Sequence, residues 1–243
     1  MDKQKSIKVC ELFKSLDNLE LEKISREAIE RKYVKASVIF TEGEKGDYVY
    51  IVTEGMVKTS KYSLCGKENI LDIFVKGDLI DPVYVFCGDS YPYSAIALDK
   101  ASVLLIRKEK LITLMEKSPA VSFLAMKTIS KKLLSAYCKI QEKTNERVEQ
   151  RIAKILLILF KKIGGELSFT REEIANMVGT SFETVIRFTS SIKKEKILET
   201  GKRKIKIINE QKLRLIAEGF LKSSERTNHN LSNEKKLLTY NVS

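Results

Sequence analysis

The sequence predicts an α+β protein in which an N-terminal antiparallel β domain precedes a long helix and a C-terminal helix-turn-helix domain with a wing. Three observations predict this order. Six of the 11 glycines lie between Gly43 and Gly88, and five of these are spaced by 9 or 11 residues, as turn glycines are between short strands. After Pro119, neither Gly nor Pro occurs before Gly164, which is typical of long helices. Beyond Gly164, two helix-capping residues flank a single glycine.

The β domain is predicted from segments rich in β-branched and aromatic residues between those glycines. "YVYIVTEG", "MVKTSKYSL", "NILDIFV" and "SAIALDKASVLLI" are such segments. Many short strands at regular spacing indicate a sandwich or barrel over residues 34–107. Residues 6–32 carry apolar positions among charges and are expected to form short amphipathic helices. Residues 1–118 are therefore predicted as the first domain.

The glycine-free stretch is predicted to form one helix over 119–145 and a second over 147–162. In the first helix, apolar side chains recur every seven residues, and a second set of side chains lies four residues after each of them. This spacing makes the a/d seam of a coiled coil. The seam predicts a parallel dimer contact within a dimerisation helix at 119–146. The alternative is that the stripe packs on the β domain of its own chain, because Ser130 and Thr144 are polar seam positions. The predicted dimerisation residues are Met126, Leu133, Tyr137 and Ile140.

The strongest local pattern lies in the C-terminal domain, predicted over 147–222. Thr170, with Glu173 three residues later, forms a capping box for one helix. Gly179 ends that helix in a left-handed conformation, and Ser181 caps the next helix. Two short helices joined by a tight glycine turn form a helix-turn-helix, in which the second helix enters a major groove. Their predicted buried residues are Ile174, Ala175, Val178, Val185, Phe188 and Ile192.

After the helix-turn-helix, "ILETGKRKIKIIN" predicts two short strands around a basic turn at 201–203. Such a wing could lie on phosphates. A closing amphipathic helix is predicted over 209–222, burying Leu213, Ile216 and Phe220. Residues 223–243 are polar and are expected to form a flexible tail.

Composition excludes several classes of protein. The chain has 243 residues, of which 43% are hydrophobic, enough for two domains with their own cores. Its apolar runs fall far short of the roughly 18 residues of a membrane span, and its N-terminus lacks the apolar core of a signal peptide. The four cysteines include no CxxC pair, so no metal site is predicted and reduced thiols are expected. A cytoplasmic protein without membrane contact is therefore expected.

The net charge of +12 is concentrated in the C-terminal part. Residues 1–118 contain 19 Lys and Arg and 19 Asp and Glu, whereas residues 149–222 contain 16 and 9. A neutral half joined to a basic half is typical of a sensor attached to a module that binds a polyanion such as DNA. The alternative is a Lys-rich surface that serves only solubility.

The chain resembles the catabolite-activator and fumarate–nitrate-regulator (Crp/Fnr) family of bacterial transcription regulators up to about residue 221. The resemblance rests on "GEKGDYVYIVTEGMVKTSKYSLCGKENILDIFVKGDLI", on "RIAKILLIL" and on "TREEIANMVGTSFETVIRFTSSIKKEKIL". It implies a cyclic-nucleotide-binding-like β jelly-roll, a dimerisation helix and a winged helix-turn-helix. It further implies a homodimer that binds double-stranded DNA at a two-fold symmetric site and contacts RNA polymerase.

The resemblance assigns base reading to Glu183 and Arg187, which lie in "FETVIR". A carboxylate accepts from a cytosine amino group and a guanidinium can bind guanine in bidentate fashion, so both can read one G·C pair. The alternative is an ordinary ion pair four residues apart on a helix. Phe182 stands where members that respond to cyclic AMP carry a second arginine, so the outer part of the DNA site should differ. The full predicted DNA-binding set is Thr180, Ser181, Phe182, Glu183, Thr184, Arg187, Lys193, Lys202 and Arg203.

The sensor block departs from members that bind cyclic AMP. Their glycine-glutamate pair, arginine-serine pair and helical Thr-Ser pair correspond here to residues 81–82, 93–94 and 136–137, which are Asp-Pro, Tyr-Ser and Ala-Tyr. Without the phosphate-binding arginine, cyclic AMP is not expected. An iron–sulfur cluster is not expected, because Cys10 is the single N-terminal cysteine. Haem is not expected either, because His229 is the single histidine. A cavity for an uncharged effector is predicted, with a filled core as the alternative. Its residues are Val83, Phe86, Cys87, Tyr93, Ser94 and Tyr137.

An enzyme is not predicted. Jelly-roll enzymes hold a metal with several histidines, and this chain has one. No P-loop, nucleophile elbow, GxGxxG or HExxH string is present. The remaining alternative is an interaction module whose helix-turn-helix contacts protein.

Overall fold

The computed structural model describes residues 2–80, 82–88 and 90–221, so the predicted tail and His229 lie outside the described residues. The chain begins with two short helices, α1 (Lys3–Val9) and α2 (Asn18–Glu27), separated by a 3-10 turn at Glu11–Phe13. Asp17 caps α2 in a capping box with Glu20, which explains where this helix begins. The short amphipathic helices expected in this region are confirmed.

Two four-stranded antiparallel sheets follow and confirm the predicted β sandwich. The elements of this region are β1 (Ile29–Tyr33), β2 (Val38–Phe40), β3 (Tyr48–Glu54), β4 (Val57–Tyr62), β5 (Glu68–Phe74), β6 (Leu79–Ile80), α3 (Tyr84–Cys87), β7 (Ser94–Ala97) and β8 (Ala101–Arg107). One sheet has the strand order β1-β8-β3-β6 and the other β2-β7-β4-β5. The predicted start at residue 34 was too late. The first strand has the sequence IERKY and lies at a sheet edge beside β8, so it lacks the alternating apolar residues that indicate a half-buried strand.

Gly55, in the β3–β4 turn, has a conformation and surroundings that only glycine fits. Its φ is +74°, and a Cβ there would lie 2.3 Å from the Lys100 carbonyl oxygen and 2.9 Å from Ala101 Cα. Gly66, in the next turn, has a φ of +76° with nothing within 4 Å of such a Cβ. Alanine at Gly66 would therefore meet only backbone strain, whereas alanine at Gly55 would meet both backbone strain and steric overlap.

We expect Gly55→Ala to destabilise the protein more than Gly66→Ala. The left-handed conformation should cost each variant about 1–2 kcal/mol, and the overlap at Gly55 should add about 1–3 kcal/mol. Urea unfolding of both variants measures the difference. An equal decrease in the free energy of unfolding would show that the turn around Gly55 moves aside without cost.

The β domain is followed by α4 (Lys108–Lys117) and then by α5 (Pro119–Asn145) and α6 (Val148–Ile163), the two long helices that the sequence predicts. Only the first turns of α5 are buried in the β domain, through Val121 and Ala125. The predicted seam does not pack on its own β domain, because its four named residues are 52–64% exposed. The alternative in which the stripe is covered within the chain is therefore wrong.

The C-terminal domain contains the predicted helix-turn-helix and wing. Its elements are β9 (Glu166–Leu167), α7 (Arg171–Val178), α8 (Phe182–Lys194), β10 (Leu198–Thr200), β11 (Ile205–Ile207) and α9 (Glu210–Ala217), with the three strands in the order β10-β11-β9. Two details differ from prediction. β9 was missed because two residues give no periodic pattern. The closing helix ends at Ala217 and not near 222, since Gly219 has a φ of +84°; Phe220 is consequently 70% exposed.

Among the described residues, we find no helix with both the length and the apolar character needed to cross a membrane.

Candidate nucleic-acid interface

Local hydrogen bonds cap the start of each helix of the helix-turn-helix. The Thr170 side chain accepts from the Glu173 backbone amide at 3.0 Å, and the Glu173 carboxylate accepts from the Thr170 amide at 2.7 Å. Gly179 ends α7 with φ +74° and ψ +47°, and Ser181 caps α8 by accepting from the Thr184 amide at 3.3 Å. The predicted caps are confirmed. Gly179 and Ser181 set where α7 ends and where α8 begins.

The second helix, α8, has one buried and one exposed face. Val185, Phe188 and Ile192 are at most 3% exposed and pack into the domain core. Glu183 and Arg187 lie on the exposed face, and no salt bridge joins their side chains. The arrangement therefore offers both side chains to a ligand and gives no support to the alternative of an internal ion pair.

The pKa of Glu183 is lowered from its usual value because its own backbone amide, and then the Ser181 hydroxyl, donate hydrogen bonds to the carboxylate. The carboxylate lies in the first turn of α8, where the positive end of the helix dipole also favours negative charge. An ionised carboxylate only accepts hydrogen bonds, which suits the amino group of cytosine.

The wing is tied to α7 by two arginines. Arg171 donates to the Gly201 carbonyl oxygen at 2.6 Å, and the Arg203 guanidinium lies 3.3 Å from the Glu173 carboxylate. The Glu173 carboxylate contacts Arg203 only through Nη2, so the other N–H groups of the guanidinium could still donate to a phosphate as predicted. Lys202 is exposed at the tip of the turn and remains available for a phosphate.

The other predicted DNA-binding residues lie in or near α8. Phe182 is 46% exposed, and Lys193 is exposed in the last turn. Thr184 is half-buried, and its hydroxyl lies 3.1 Å from that of Ser181, so its role in the turn is at least partly structural. Thr180 joins α7 to α8. Together these residues surround the exposed face that carries Glu183 and Arg187.

Sequence reasoning missed a contact between the β domain and the helix-turn-helix. Lys67 Nζ donates to the Thr180 carbonyl oxygen at 3.1 Å, and Asn176 Nδ2 donates to Glu68 Oε2 at 3.3 Å. Glu68 Oε2 also accepts from Lys58 Nζ at 2.7 Å, with both side chains only 12% exposed. Ile70 of β5 is buried in the same apolar cluster as the C-terminal domain. No local pattern could indicate pairs more than 100 residues apart.

The structure does not gather the predicted effector-pocket residues around one cavity. Phe86 is 47% exposed and lines a shallow hollow with Ile112 and Met115, whereas Tyr93 is 5% exposed in the β-domain core. Tyr137 is 59% exposed on α5. Val83 is half-buried and Ser94 accepts from the Glu42 amide at 3.0 Å. The side chain of Cys87, and Asp81, lie outside the described residues.

Aromatic rings fill the β-domain core beside Tyr93. Phe40 stacks on Tyr91 with ring centroids 4.0 Å apart, and Tyr84 meets Tyr91 edge to face at 4.6 Å. The hydroxyls of Tyr50 and Tyr91 lie 3.2 Å apart, and both Tyr84 and Tyr91 donate to the Tyr48 carbonyl oxygen. Burial raises the pKa of Tyr50 and of Tyr84 well above the usual value, so both stay protonated donors. This packing matches the filled-core alternative.

Comparisons with known proteins give the same two modules. A cyclic nucleotide-binding domain model matches residues 30–118, and a Crp-like helix-turn-helix domain model matches residues 150–216. The chain is 25% identical over 190 residues to the cyclic AMP receptor protein of Thermus thermophilus, covering 78% of this chain and 88% of that protein. It is 27% identical over 213 residues to the fumarate and nitrate reduction regulatory protein of Vibrio cholerae, covering 84% of each. The solved structure of FixK2 from Bradyrhizobium japonicum is similar with a TM-score of 0.71 and 26% identity, covering 78% of this chain and 96% of that one.

Proposed function

Because this chain belongs to the Crp/Fnr family of transcription regulators, which are not enzymes, we propose that it acts as a homodimer that reads a two-fold symmetric DNA site with α8. The observation that carries the proposal is the exposed pair of Glu183 and Arg187 on a capped recognition helix. Contact with RNA polymerase at the promoter is part of the same proposal.

The proposed dimer is supported by an uncovered apolar stripe along α5. Phe123, Met126, Leu133, Tyr137 and Ile140 are 64%, 58%, 52%, 59% and 64% exposed. Their spacings of three, seven, four and three residues place them along one side of the helix, as in a coiled-coil seam. Large apolar side chains grouped on one exposed face are typical of an interface. A second α5 would cover them.

Binding to DNA is expected to be specific and strongly salt-dependent. Each phosphate neutralised by Lys or Arg should contribute about −0.9 to the slope of log K against log salt. Fluorescence anisotropy with a genomic site found by footprinting, and with a scrambled duplex, measures both properties. A flat salt response, or equal affinity for the two duplexes, would contradict the proposal and favour a protein-binding role for the helix-turn-helix.

Cyclic AMP is not expected to regulate this protein. Tyr93 and Pro82 are buried where a phosphate and a ribose would need polar partners, and Tyr93 offers no positive charge to a phosphate. Tyr93 lies beside the Phe40 ring, with ring centroids 6.3 Å apart. Calorimetry should detect no binding at micromolar cyclic AMP, and the operator affinity should not change with the nucleotide. Saturable micromolar binding would overturn this proposal while leaving the DNA-binding proposal intact.

A further inference from the structure

A cleft of about 760 Å³ lies between the β domain and the DNA-binding domain. Four groups of elements line it: strands β4 and β5, the second half of α5, the first half of α6 and the end of α7. Its volume falls within the range of roughly 300–1,000 Å³ that is usual for small-molecule sites. The cleft is separate from the aromatic core of the β domain and shares none of its rings.

The cleft contains apolar side chains that are otherwise uncovered. Leu71, Leu134, Ile140 and Ile158 line it and are 38%, 64%, 64% and 55% exposed. Ile155 and Met177 add apolar surface from α6 and α7. Exposed apolar residues gathered in one concave surface are typical of a ligand site. A ligand here would bury an apolar body.

The lining of the cleft carries more positive than negative charge. Six cationic side chains and one carboxylate, that of Glu142, line it. Lys154 forms ion pairs with that carboxylate at 3.3 Å and with the Glu146 carboxylate at 2.5 Å. Lys139 donates to the Leu71 carbonyl oxygen at 2.8 Å. Lys61 and Lys131 are paired with acidic residues outside the cleft. The excess positive charge makes an anion the complementary ligand.

Arg151 and Lys143 are the cations of the cleft that have no ion-pair or hydrogen-bond partner for their side chains within the described parts of the chain. Arg151 Nε is buried as well as unpartnered. A buried donor without a partner is unfavourable, and a guanidinium is suited to bidentate binding of a carboxylate. The two side chains therefore mark where the charged end of a ligand would lie.

We propose that this interdomain cleft binds an amphipathic anion, an aliphatic carboxylate whose head is held by Arg151 and Lys143 and whose chain packs on Leu71, Ile155 and Ile158. Such a ligand would touch both domains at once and would also touch Ile140 of the proposed dimer seam. Its binding would be coupled to DNA affinity, because α6 and α7 belong to the DNA-binding domain. This regulatory consequence rests on the proposed function, whereas the binding site does not.

Calorimetry with the full chain tests the site, with decanoate as the probe and 1-decanol as its uncharged counterpart. We expect saturable binding of one decanoate per chain, and binding of decanol weaker by about tenfold or more, because the alcohol cannot form the charged hydrogen bonds. Arg151→Met and Lys143→Met should each weaken decanoate binding by about tenfold. Lys161→Met removes an exposed charge from α6 outside the cleft and should change nothing.

Absence of saturable decanoate binding, or equal binding by Arg151→Met, Lys143→Met and Lys161→Met, would overturn the proposal. Thermal unfolding of each variant shows whether it is folded, and the Lys143 variant keeps the test decisive if Arg151→Met does not fold. If decanoate dissociated the dimer of Arg151→Met as readily as that of the unmodified protein, the proposal would also fail. The cleft would then be a surface that the partner chain covers. Operator affinity is then measured with and without saturating decanoate. An unchanged operator affinity overturns the regulatory part, whereas failure to bind the operator both with and without decanoate overturns only the proposed function.

Discussion

Replacing Arg187 with Ala is expected to remove much of the preference for the operator over random DNA. Arg187 is exposed on α8 one turn after Glu183, and no salt bridge joins the two. A bidentate contact with guanine discriminates by about 1–3 kcal/mol, so the affinity for each half-site should fall roughly 5- to 150-fold. The fold should be unaffected, because the side chain takes no part in the core.

The measurement is a comparison of anisotropy titrations on the operator, on the operator mutated at the proposed G·C pair, and on random duplex. Arg187→Ala should lower only the first affinity and should bring the first two together. Lys202→Ala serves as the control, since Lys202 is exposed in the wing and would contact a phosphate. It should weaken binding to all three duplexes similarly and reduce the salt slope by about 1 for each phosphate that is no longer neutralised. If Arg187→Ala weakened binding to all duplexes by one factor, Arg187 would be a phosphate-binding residue.

Replacing Leu133 with Asp is expected to produce a monomer that binds the operator poorly. Leu133 is 52% exposed at the centre of the α5 stripe, so the change should be tolerated by the isolated chain. In a dimer it would bury an unpaired carboxylate, which costs about 3–5 kcal/mol. Without the second reading helix, operator affinity should fall by roughly 10²- to 10⁴-fold, because the two half-sites would no longer be bound together.

Sedimentation equilibrium and operator titration measure the two effects. Ser135→Asp is the matched control, because Ser135 is exposed on α5 and, two residues from Leu133, lies on the opposite side of the helix. This control should remain dimeric. A dimeric Leu133→Asp would place the dimer contact elsewhere.

The parts of the fold that the sequence predicted are those governed by interactions a few residues apart. Thr170 and Glu173 cap α7 across three residues, and Gly179 and Ser181 end one helix and begin the next, so their pattern is complete in a short window. The long helices follow from the absence of Gly and Pro. The β domain follows from turn glycines and strand composition, although its charged first strand has neither signal.

The sequence could predict only those features of the candidate site that depend on residues close together in the chain. Glu183 and Arg187 share a helix face whatever surrounds them, whereas the pairing of Arg203 with Glu173 depends on how the wing folds back on α7. The effector pocket was predicted by placing residues 83, 93 and 137 together, and the structure separates them because Tyr93 packs among rings while Tyr137 lies on the outer side of α5. The interdomain cleft unites several elements between residues 61 and 179, and no local pattern marks it.

The contact between β5 and α7 has a consequence for exchanging parts between relatives. Ile70 and Ile73 are 6% and 4% exposed because the C-terminal domain covers them, and the Lys67 and Glu68 side chains hold the turn before α8 and the end of α7. A chimera that takes its DNA-binding domain from another regulator would leave these isoleucines facing an unmatched surface, and Glu68 would lose Asn176 as a partner while keeping Lys58. A functional graft would therefore have to carry residues 67–73 along with the helix-turn-helix. This β5 segment is distant in sequence from the helix-turn-helix, but the two have to be transplanted together.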